Sequence, residues 1–234
     1  MSLCPEIFRP DACPTESKVN YDPERLVEVK SLFPMFVKLD GRQVLVVGAG
    51  PVSEPKIRGL LPTGAKIRVI ALEATEAVRE WAHNGEIILE ERGFVLSDLD
   101  NVFLVVVATS SRDLNELIYH EARPRRILCN VVDVPEQCDF YYPAVVQRGD
   151  LQIAISTSGQ SPSLAQKLRQ QLERQFGPGY AHWVAALGET RRRVLASSLN
   201  PERKRDLLRS LASAEAFEAV LDAESKTNGR SDAI

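Results

Sequence analysis

The chain has 234 residues, 44% of them hydrophobic and 26% charged, with a formal net charge of −3, four Cys and three His. That length and composition suit one or two globular domains at roughly 100–200 residues each, and they exclude a wholly disordered or fibrous chain. No apolar run approaches the roughly 20 residues needed to cross a bilayer, and the start MSLCPEIFRPDACP lacks the basic and apolar regions of a signal peptide, so a cytoplasmic protein without membrane contact is expected.

Residues 1–30 mix Pro, Asp, Glu and Ser without periodicity and read as a flexible extension. From about residue 31 to 142 the chain alternates short apolar runs rich in β-branched residues with helix-like segments. Strands are expected at Gln43–Val47, Lys66–Ala71, Glu86–Glu90, Val102–Ala108 and Arg126–Val131, and helices at Val52–Leu61, Thr75–Asn84 and Arg112–Arg123. Parallel strands need crossover connections, so this alternation predicts an α/β fold with a parallel sheet. The run from Val102 to Ala108 carries no polar alternation, as a central strand covered on both faces requires.

A second unit starts near residue 143. Tyr141–Gln147 and Leu151–Ser156 read as two strands around the turn Arg148-Gly149-Asp150. Ser161-Pro162 reads as an N-cap with Pro at the first helical position, opening a helix over Ser163–Phe176. Gly177-Pro178-Gly179 stops it, and Tyr180–Leu195, Pro201–Leu211 and Ala214–Ala223 make a helical region over 177–223, with 224–234 as a frayed tail.

The cysteines at 4, 13, 129 and 138 contain no C-x-x-C, and His83, His120 and His182 do not fall with them at zinc-ligand spacing. Neither a structural metal nor a disulfide framework is expected. The net charge argues against a general nucleic-acid binder, yet residues 143–212 hold 11 Lys/Arg against 5 Asp/Glu, a local +6. Such charges are either solvated helix faces or the counterpart of a polyanionic ligand.

The strongest local motif is Val44-Leu-Val-Val-Gly48-Ala-Gly50-Pro51-Val52-Ser53, a strand running through G-x-G into a helix. Gly48 and Gly50 let the backbone turn tightly and approach a pyrophosphate, as in a Rossmann-type nucleotide site. The third glycine of the pattern is replaced by Ser53, small enough for close helix packing. Glu73 lies roughly 20 residues further on, where an acidic residue accepts from the adenosine ribose and favours NAD over NADP. The same residue also suits the opening of a helix at Thr75. Asp133 follows the fifth strand, on the side where ligands bind in doubly wound sheets. It can act as a proton acceptor there or simply form the turn before Pro135. The hydroxyl-rich loop Ser156-Thr157-Ser158-Gly-Gln-Ser161 can bind a carboxylate or phosphate, or serve capping alone. No Tyr-x-x-x-Lys, no G-x-x-x-x-G-K-[S/T] and no G-x-S-x-G occurs.

Together these residues resemble the precorrin-2 dehydrogenase / sirohydrochlorin ferrochelatase family, the N-terminal module of siroheme synthases. The likeness runs from Leu32-Phe-Pro-Met-Phe-Val-Lys-Leu through Gly48-Ala-Gly50-Pro-Val-Ser-Glu-Pro-Lys56, Ala108-Thr with Asn115, and Cys129-Asn-Val-Val-Asp133 with Pro135. It continues through Phe140, Pro143-Ala and Ile153-Ala-Ile-Ser-Thr-Ser-Gly159-Gln-Ser-Pro162-Ser-Leu-Ala165 with Arg169 and Glu173. The resemblance implies NAD-dependent oxidation of precorrin-2 to sirohydrochlorin and, in many members, insertion of Fe²⁺ as substrate metal to give siroheme. It makes Asp133 the catalytic residue, places Pro51, Val52, Leu72 and Glu73 at NAD-contacting positions, and sets Thr157 at a substrate-loop hydroxyl. It also implies a homodimer built on a segment at 143–176. Two residues depart from the family turn, which usually has Ala where Ser53 stands and Arg where Pro55 stands. A proline interior to that helix would cost about 3 kcal/mol, so the helix is expected to start at Pro55 or to kink there. That departure leaves an alternative of another class, a non-catalytic nucleotide or tetrapyrrole sensor of the same fold, and a dehydrogenase for another substrate is a third reading.

Overall fold

The computed structural model describes residues 32–213 and 215–218. The chain divides into two units, Met1–Pro34 and Met35–Ile234, and every strand and helix named below belongs to the second. The extension expected at 1–30 and the tail at 224–234 lie outside the described residues, as does most of the helix expected at Ala214–Ala223, of which 215–218 are helical.

Five strands, β1 (Gln43–Ala49), β2 (Lys66–Ala74), β3 (Ile88–Glu91), β4 (Leu104–Val107) and β5 (Leu128–Val131), form one sheet in the order β3-β2-β1-β4-β5. Every neighbouring pair is parallel. Helices α1 (Glu54–Leu60), α2 (Glu76–His83) and α3 (Arg112–Ala122) lie between them in the chain. The apolar runs that look uniform in the sequence are sorted by the pleat. Val44, Val46, Val69, Leu104 and Val106 pack with Ile57 and Leu60 of α1 and Val78 of α2. Their alternate neighbours Leu45, Val47, Ile70, Val105 and Val107 pack with Ile118 and Ala122 of α3. Successive strand residues point to opposite faces, so a sheet covered on both sides has no polar positions to alternate with.

Most elements fall where the sequence places them, and the differences are at their ends. The strand expected from Val102 begins at Leu104, because the Val102 amide still bonds the Leu99 carbonyl of the preceding turn. The strand expected from Arg126 begins at Leu128, since Arg126 holds a φ of +57° and the Ile127 amide is bound to Ala122. The helix expected from Val52 begins at Glu54, after a turn over Pro51–Ser53. Pro55 is therefore the second helical residue, in the first turn, where a missing N–H breaks no intrahelical bond.

The second part opens with an antiparallel hairpin, β6 (Ala144–Arg148) and β7 (Leu151–Ile155), turned at Gly149 with φ +56°. β6 starts after Pro143 rather than at Tyr141, because Pro143 has no N–H to contribute to a ladder. α4 (Pro162–Gln175) follows, capped by the Ser161 hydroxyl, which accepts from the Leu164 amide at 3.3 Å. Arg148 ties hairpin to helix: its guanidinium donates to the carbonyls of Phe176 at 2.9 Å and Glu173 at 3.2 Å, the unpaired end of α4. α5 (Gly179–Ala196) and α6 (Pro201–Ser210) complete the described elements.

Beside β2 and β3 lies a buried carboxylate. Asp98 is bridged by Arg92 at 2.7 Å and Arg68 at 3.3 Å, accepts from the Val95 amide at 2.9 Å, and shares both arginines with Glu90. Hydrogen bonding from Arg92, outweighing burial, holds the Asp98 carboxyl below the ordinary carboxylate range. A folded-state value below the unfolded one gives stability that is present above the unfolded value and lost as pH falls through the folded one. Asp98→Asn should therefore lower the unfolding free energy by about 1–3 kcal/mol at neutral pH. Chemical denaturation across a pH series should show the gap from the wild type closing below the ordinary carboxylate range; a gap independent of pH would refute the ionic origin.

Candidate active site

The carboxyl ends of β1, β2, β4 and β5 converge on one edge of the sheet, and the strand order reverses between β1 and β4. That reversal opens the crevice in which doubly wound sheets bind ligands. At its centre Gly48 has φ +103°, and a Cβ there would lie 2.4 Å from the Ala108 carbonyl oxygen. Only glycine allows that approach of β1 to the end of β4. Gly50 differs: its φ is not positive and a Cβ would meet nothing within 4 Å. Among the described residues nothing demands glycine at 50, so the open space in front of it suits a ligand that approaches the backbone.

The turn offers few amides. Pro51 and Pro55 have none, Ser53 and Glu54 donate to the Gly50 carbonyl at 2.9 and 3.4 Å, and the amides of Gly50 and Val52 donate to no other described residue. Ser53 is fully buried and its hydroxyl, like that of Thr75, has no partner among the described residues. These uncommitted donors border the Gly48–Ser53 turn and the end of β2, whose last residue Ala74 pairs with Ala49. Leu72, 78% exposed, and Val52, 52% exposed, present apolar surface on the same strand ends, with Glu73 exposed between Leu72 and Ala74. A dinucleotide fits this set: open glycine backbone, two available amides, apolar faces for a base, and a carboxylate for a ribose. Arg68 and Arg79, the nearby cations of β2 and α2, are committed to Asp98 and Glu90 and to Glu91 respectively.

The loop after β4 is latched to α3. The Thr109 hydroxyl donates to Asn115 Oδ1 at 2.6 Å, the Asn115 amide group donates back to the Thr109 carbonyl at 3.2 Å, and the Ser111 amide donates to Thr109 Oγ1 at 3.2 Å. After β5 the chain enters a turn in which Asp133 is exposed and sits at φ +64°. Aspartate tolerates the left-handed region better than most side chains, yet it remains a sparsely populated conformation that surrounding contacts must hold. Here they do. The Cys138 thiol donates to the carbonyls of Val131 and Val134, on either side of the turn, both at 3.2 Å. The buried Asn130 amide donates to the Phe140 carbonyl at 2.7 Å, and Asp139 accepts from the Cys129 amide at 2.9 Å while its own amide donates to Cys129 at 2.8 Å. Burial raises both thiols, Cys129 to about 12, so both are protonated at neutral pH and serve the fold rather than nucleophilic chemistry. The Asp133 carboxylate itself has no hydrogen bond or ion pair to a described residue.

The hydroxyl loop lies at the open end of the hairpin. Ala144 pairs with Ile155, so Ser156 follows on the side where the chain enters from Tyr142 and Pro143. Ser156 Oγ accepts from the Ser158 amide and Thr157 Oγ1 from the Ser161 amide, each at 3.1 Å, leaving the hydroxyl protons of Ser156 and Thr157 available to donate outward. Ser158 holds φ +51°. The structure thus groups Gly48, Gly50, Pro51, Val52, Leu72 and Glu73 at adjoining strand ends and Asp133 two strands away, while Ser156, Thr157 and Ser158 belong to the hairpin. Sequence reasoning missed the clamp on Asp133. The acidic, amide and thiol residues at 130, 138 and 139 carry no periodic signal; Cys129-Asn-Val-Val-Asp133 was visible only as a string. Among the described residues no group of three or more His, Cys, Asp or Glu is placed to hold a metal, and no helix is long and apolar enough to cross a membrane.

Fold and crevice together define a dinucleotide-binding α/β protein with an appended hairpin and helices. Residues 35–144 match a family model described as "Putative NAD(P)-binding", and residues 148–175 match that of the sirohaem biosynthesis protein central region. The chain is 38% identical over 161 residues to siroheme synthase 2 of Pectobacterium atrosepticum, covering 69% of this chain and 35% of that protein. It is 40% identical over 140 residues to the siroheme synthase of Nitrosococcus oceani, covering 60% and 30%. The chain therefore spans about a third of the length of these curated relatives. The solved structure of the precorrin-2 dehydrogenase SirC superposes with a TM-score of 0.68 at 28% identity, covering 83% of this chain and all of that one. The chain belongs to the family formed by SirC and the N-terminal modules of siroheme synthases.

The two glycines separate folding from binding. Gly48→Ala should destabilise the protein by about 2–4 kcal/mol, combining strain at positive φ with overpacking against Ala108. Gly50→Ala should leave thermal unfolding within about 0.5 kcal/mol of wild type while NAD affinity, measured by calorimetric titration, falls at least tenfold; unchanged affinity would remove the turn from the cofactor site.

Proposed function

We propose that the chain is a precorrin-2 dehydrogenase that oxidises precorrin-2 to sirohydrochlorin with NAD. The observation that carries this reading is Asp133: an exposed carboxylate without a protein partner, clamped in a left-handed turn at the carboxyl end of β5. The family membership supplies the substrate class, through the dehydrogenation named for SirC.

When bound, NAD supplies the acceptor for the hydride that this oxidation removes. The chain's own residues supply the rest. Gly48 and Gly50 leave room along the backbone for the pyrophosphate, the Gly50 and Val52 amides offer it donors, and Pro51, Val52 and Leu72 give an apolar face to the adenosine. Glu73 accepts from the ribose hydroxyls and repels a 2′-phosphate, which sets NAD above NADP; tighter binding of NADP in a calorimetric comparison would count against that role. Asp133 takes the proton released from the substrate. Its carboxylate is uncommitted, and its turn is fixed before substrate arrives, so little reorganisation stands between binding and transfer. Ser156, Thr157 and Ser158 donate hydroxyl protons to substrate carboxylates at the open end of the hairpin.

The same cleft is proposed to accept Fe²⁺ as a substrate metal for insertion into sirohydrochlorin. The macrocycle provides the nitrogens that hold the metal, and Asp133 would remove pyrrole protons as it enters. A homodimer through residues 143–176 belongs to this reading as well. A two-stranded sheet needs packing on a neighbour to be stable in water; here Val146 is buried, while both outer edges of β6–β7 are unpaired among the described residues and Val145 is exposed. Sedimentation that finds only monomer at micromolar concentration would refute it.

Anaerobic incubation of precorrin-2 with NAD, followed by absorbance, tests the central claim; no conversion by the wild type at saturating NAD would overturn it. Asp133→Asn, which keeps a residue tolerant of positive φ, should fold normally and lose about 10²–10⁴ in kcat. The same variant incubated with sirohydrochlorin and Fe²⁺ or Co²⁺ should metallate more slowly, and an equal rate would take Asp133 out of the metal step.

A further inference from the structure

Lys56 is the residue of the glycine-turn helix that the reading above leaves unused. Because α1 begins at Glu54, Lys56 falls in its first turn, at the same sheet edge as the Asp133 loop. Its ammonium lies 4.4 Å from the centre of the Tyr142 ring, a cation–π contact, and Tyr142 in turn packs at 5.7 Å against Phe140. Tyr142 belongs to the segment that joins the Asp133 loop to β6, and burial raises its hydroxyl pKa. The Cys138 thiol, four residues before Tyr142, bonds the carbonyls on both sides of the Asp133 turn. Lys56 forms no ion pair with Glu136, Asp139 or any other described carboxylate. A half-buried ammonium fixed against an aromatic face without a counter-ion is a charge waiting for an anion.

We propose that Lys56 is a substrate-positioning residue that receives a side-chain carboxylate of the tetrapyrrole and sets the orientation of the macrocycle over Asp133. This rests on the dehydrogenase reading for its substrate class. The carboxylate is preferred to the dinucleotide pyrophosphate as occupant because the Tyr142 contact draws the ammonium toward the Asp133 loop and the hairpin, where the hydroxyls of Ser156 and Thr157 stand at the open end of the strand pair.

The test is direct binding of sirohydrochlorin, followed by fluorescence quenching, to the wild type, Lys56→Met and Lys56→Arg, alongside calorimetric titration of NAD. Loss of one charge-assisted hydrogen bond corresponds to about a tenfold or greater rise in the sirohydrochlorin Kd of Lys56→Met. Its NAD affinity should be unchanged, and the dependence of sirohydrochlorin binding on salt should flatten, since one screened ion pair is gone. Lys56→Arg keeps the charge and the aromatic contact and should restore most of the affinity. In turnover, Lys56→Met should raise the KM for precorrin-2 more than it lowers kcat. Equal tetrapyrrole affinity in all three proteins overturns the proposal, and so does a loss confined to NAD. A wild type that neither binds sirohydrochlorin nor converts precorrin-2 overturns the dehydrogenase reading and this proposal with it. A wild type that binds and converts while Lys56→Met matches it overturns the role of Lys56 alone.

Discussion

The contact between Gly48 and the Ala108 carbonyl is the constraint on which the crevice depends. It is a main-chain approach: a Cβ at 48 would stand 2.4 Å from a carbonyl oxygen that every residue type carries. No change of side chain at 108 could make room. Through it β1 can leave the sheet at φ +103°, turn over Pro51–Ser53 and enter α1 while β4 leaves alongside into the Thr109–Asn115 latch. The opening between the two strand ends, where the sheet order reverses, follows from this one permitted approach. Gly50, two residues later, has no such internal reason among the described residues to be glycine, and that contrast sets the two residues of one motif apart.

Around Asp133 the chain solves a different problem. The Asp133 carboxylate is exposed and unpartnered among the described residues, and a residue at positive φ on an exposed turn needs outside support. The support is placed behind the turn. Cys138 bonds the carbonyls flanking it, Asn130 reaches forward to Phe140, and Asp139 pairs with the backbone of Cys129. Each of the three is hydrogen-bonded to a backbone group, and none bonds the Asp133 carboxylate. Burial keeps both thiols protonated, which is what a thiol donor in this position requires.

The parallel sheet was legible because its signal is physical and local: β-branched runs separated by helical segments leave few topologies. The ends were not, since they depend on bonds to residues far along the chain or on a single dihedral, as at Val102 and Arg126. Pro55 shows how one boundary changes an interpretation. An interior proline would kink the helix; with α1 starting at Glu54, one residue before the late start that the sequence suggests, Pro55 is an ordinary first-turn proline. Of the candidate site, the glycines, Glu73 and Asp133 are proposed from spacing and resemblance, and the structure places them at the carboxyl ends of the strands. The clamp on Asp133 could not, because thiol and amide donors to backbone carbonyls leave no pattern in composition. Lys56 was visible as a letter of the motif, and only the placement of Tyr142 gives it a direction.

The ion cluster around Asp98 bears on which cations near β2 stand free. Arg68 runs from β2 toward that cluster and is bound to Asp98 and Glu90, while Arg79 is bound to Glu91. Neither cation is spare. On the proposed reading of Glu73 as the ribose acceptor, its removal would take away repulsion for a phosphorylated ribose without supplying attraction, because both cations are already paired. Arg68 stands five residues before Glu73 on β2, so its loss would be felt in stability through Asp98 rather than at the strand end.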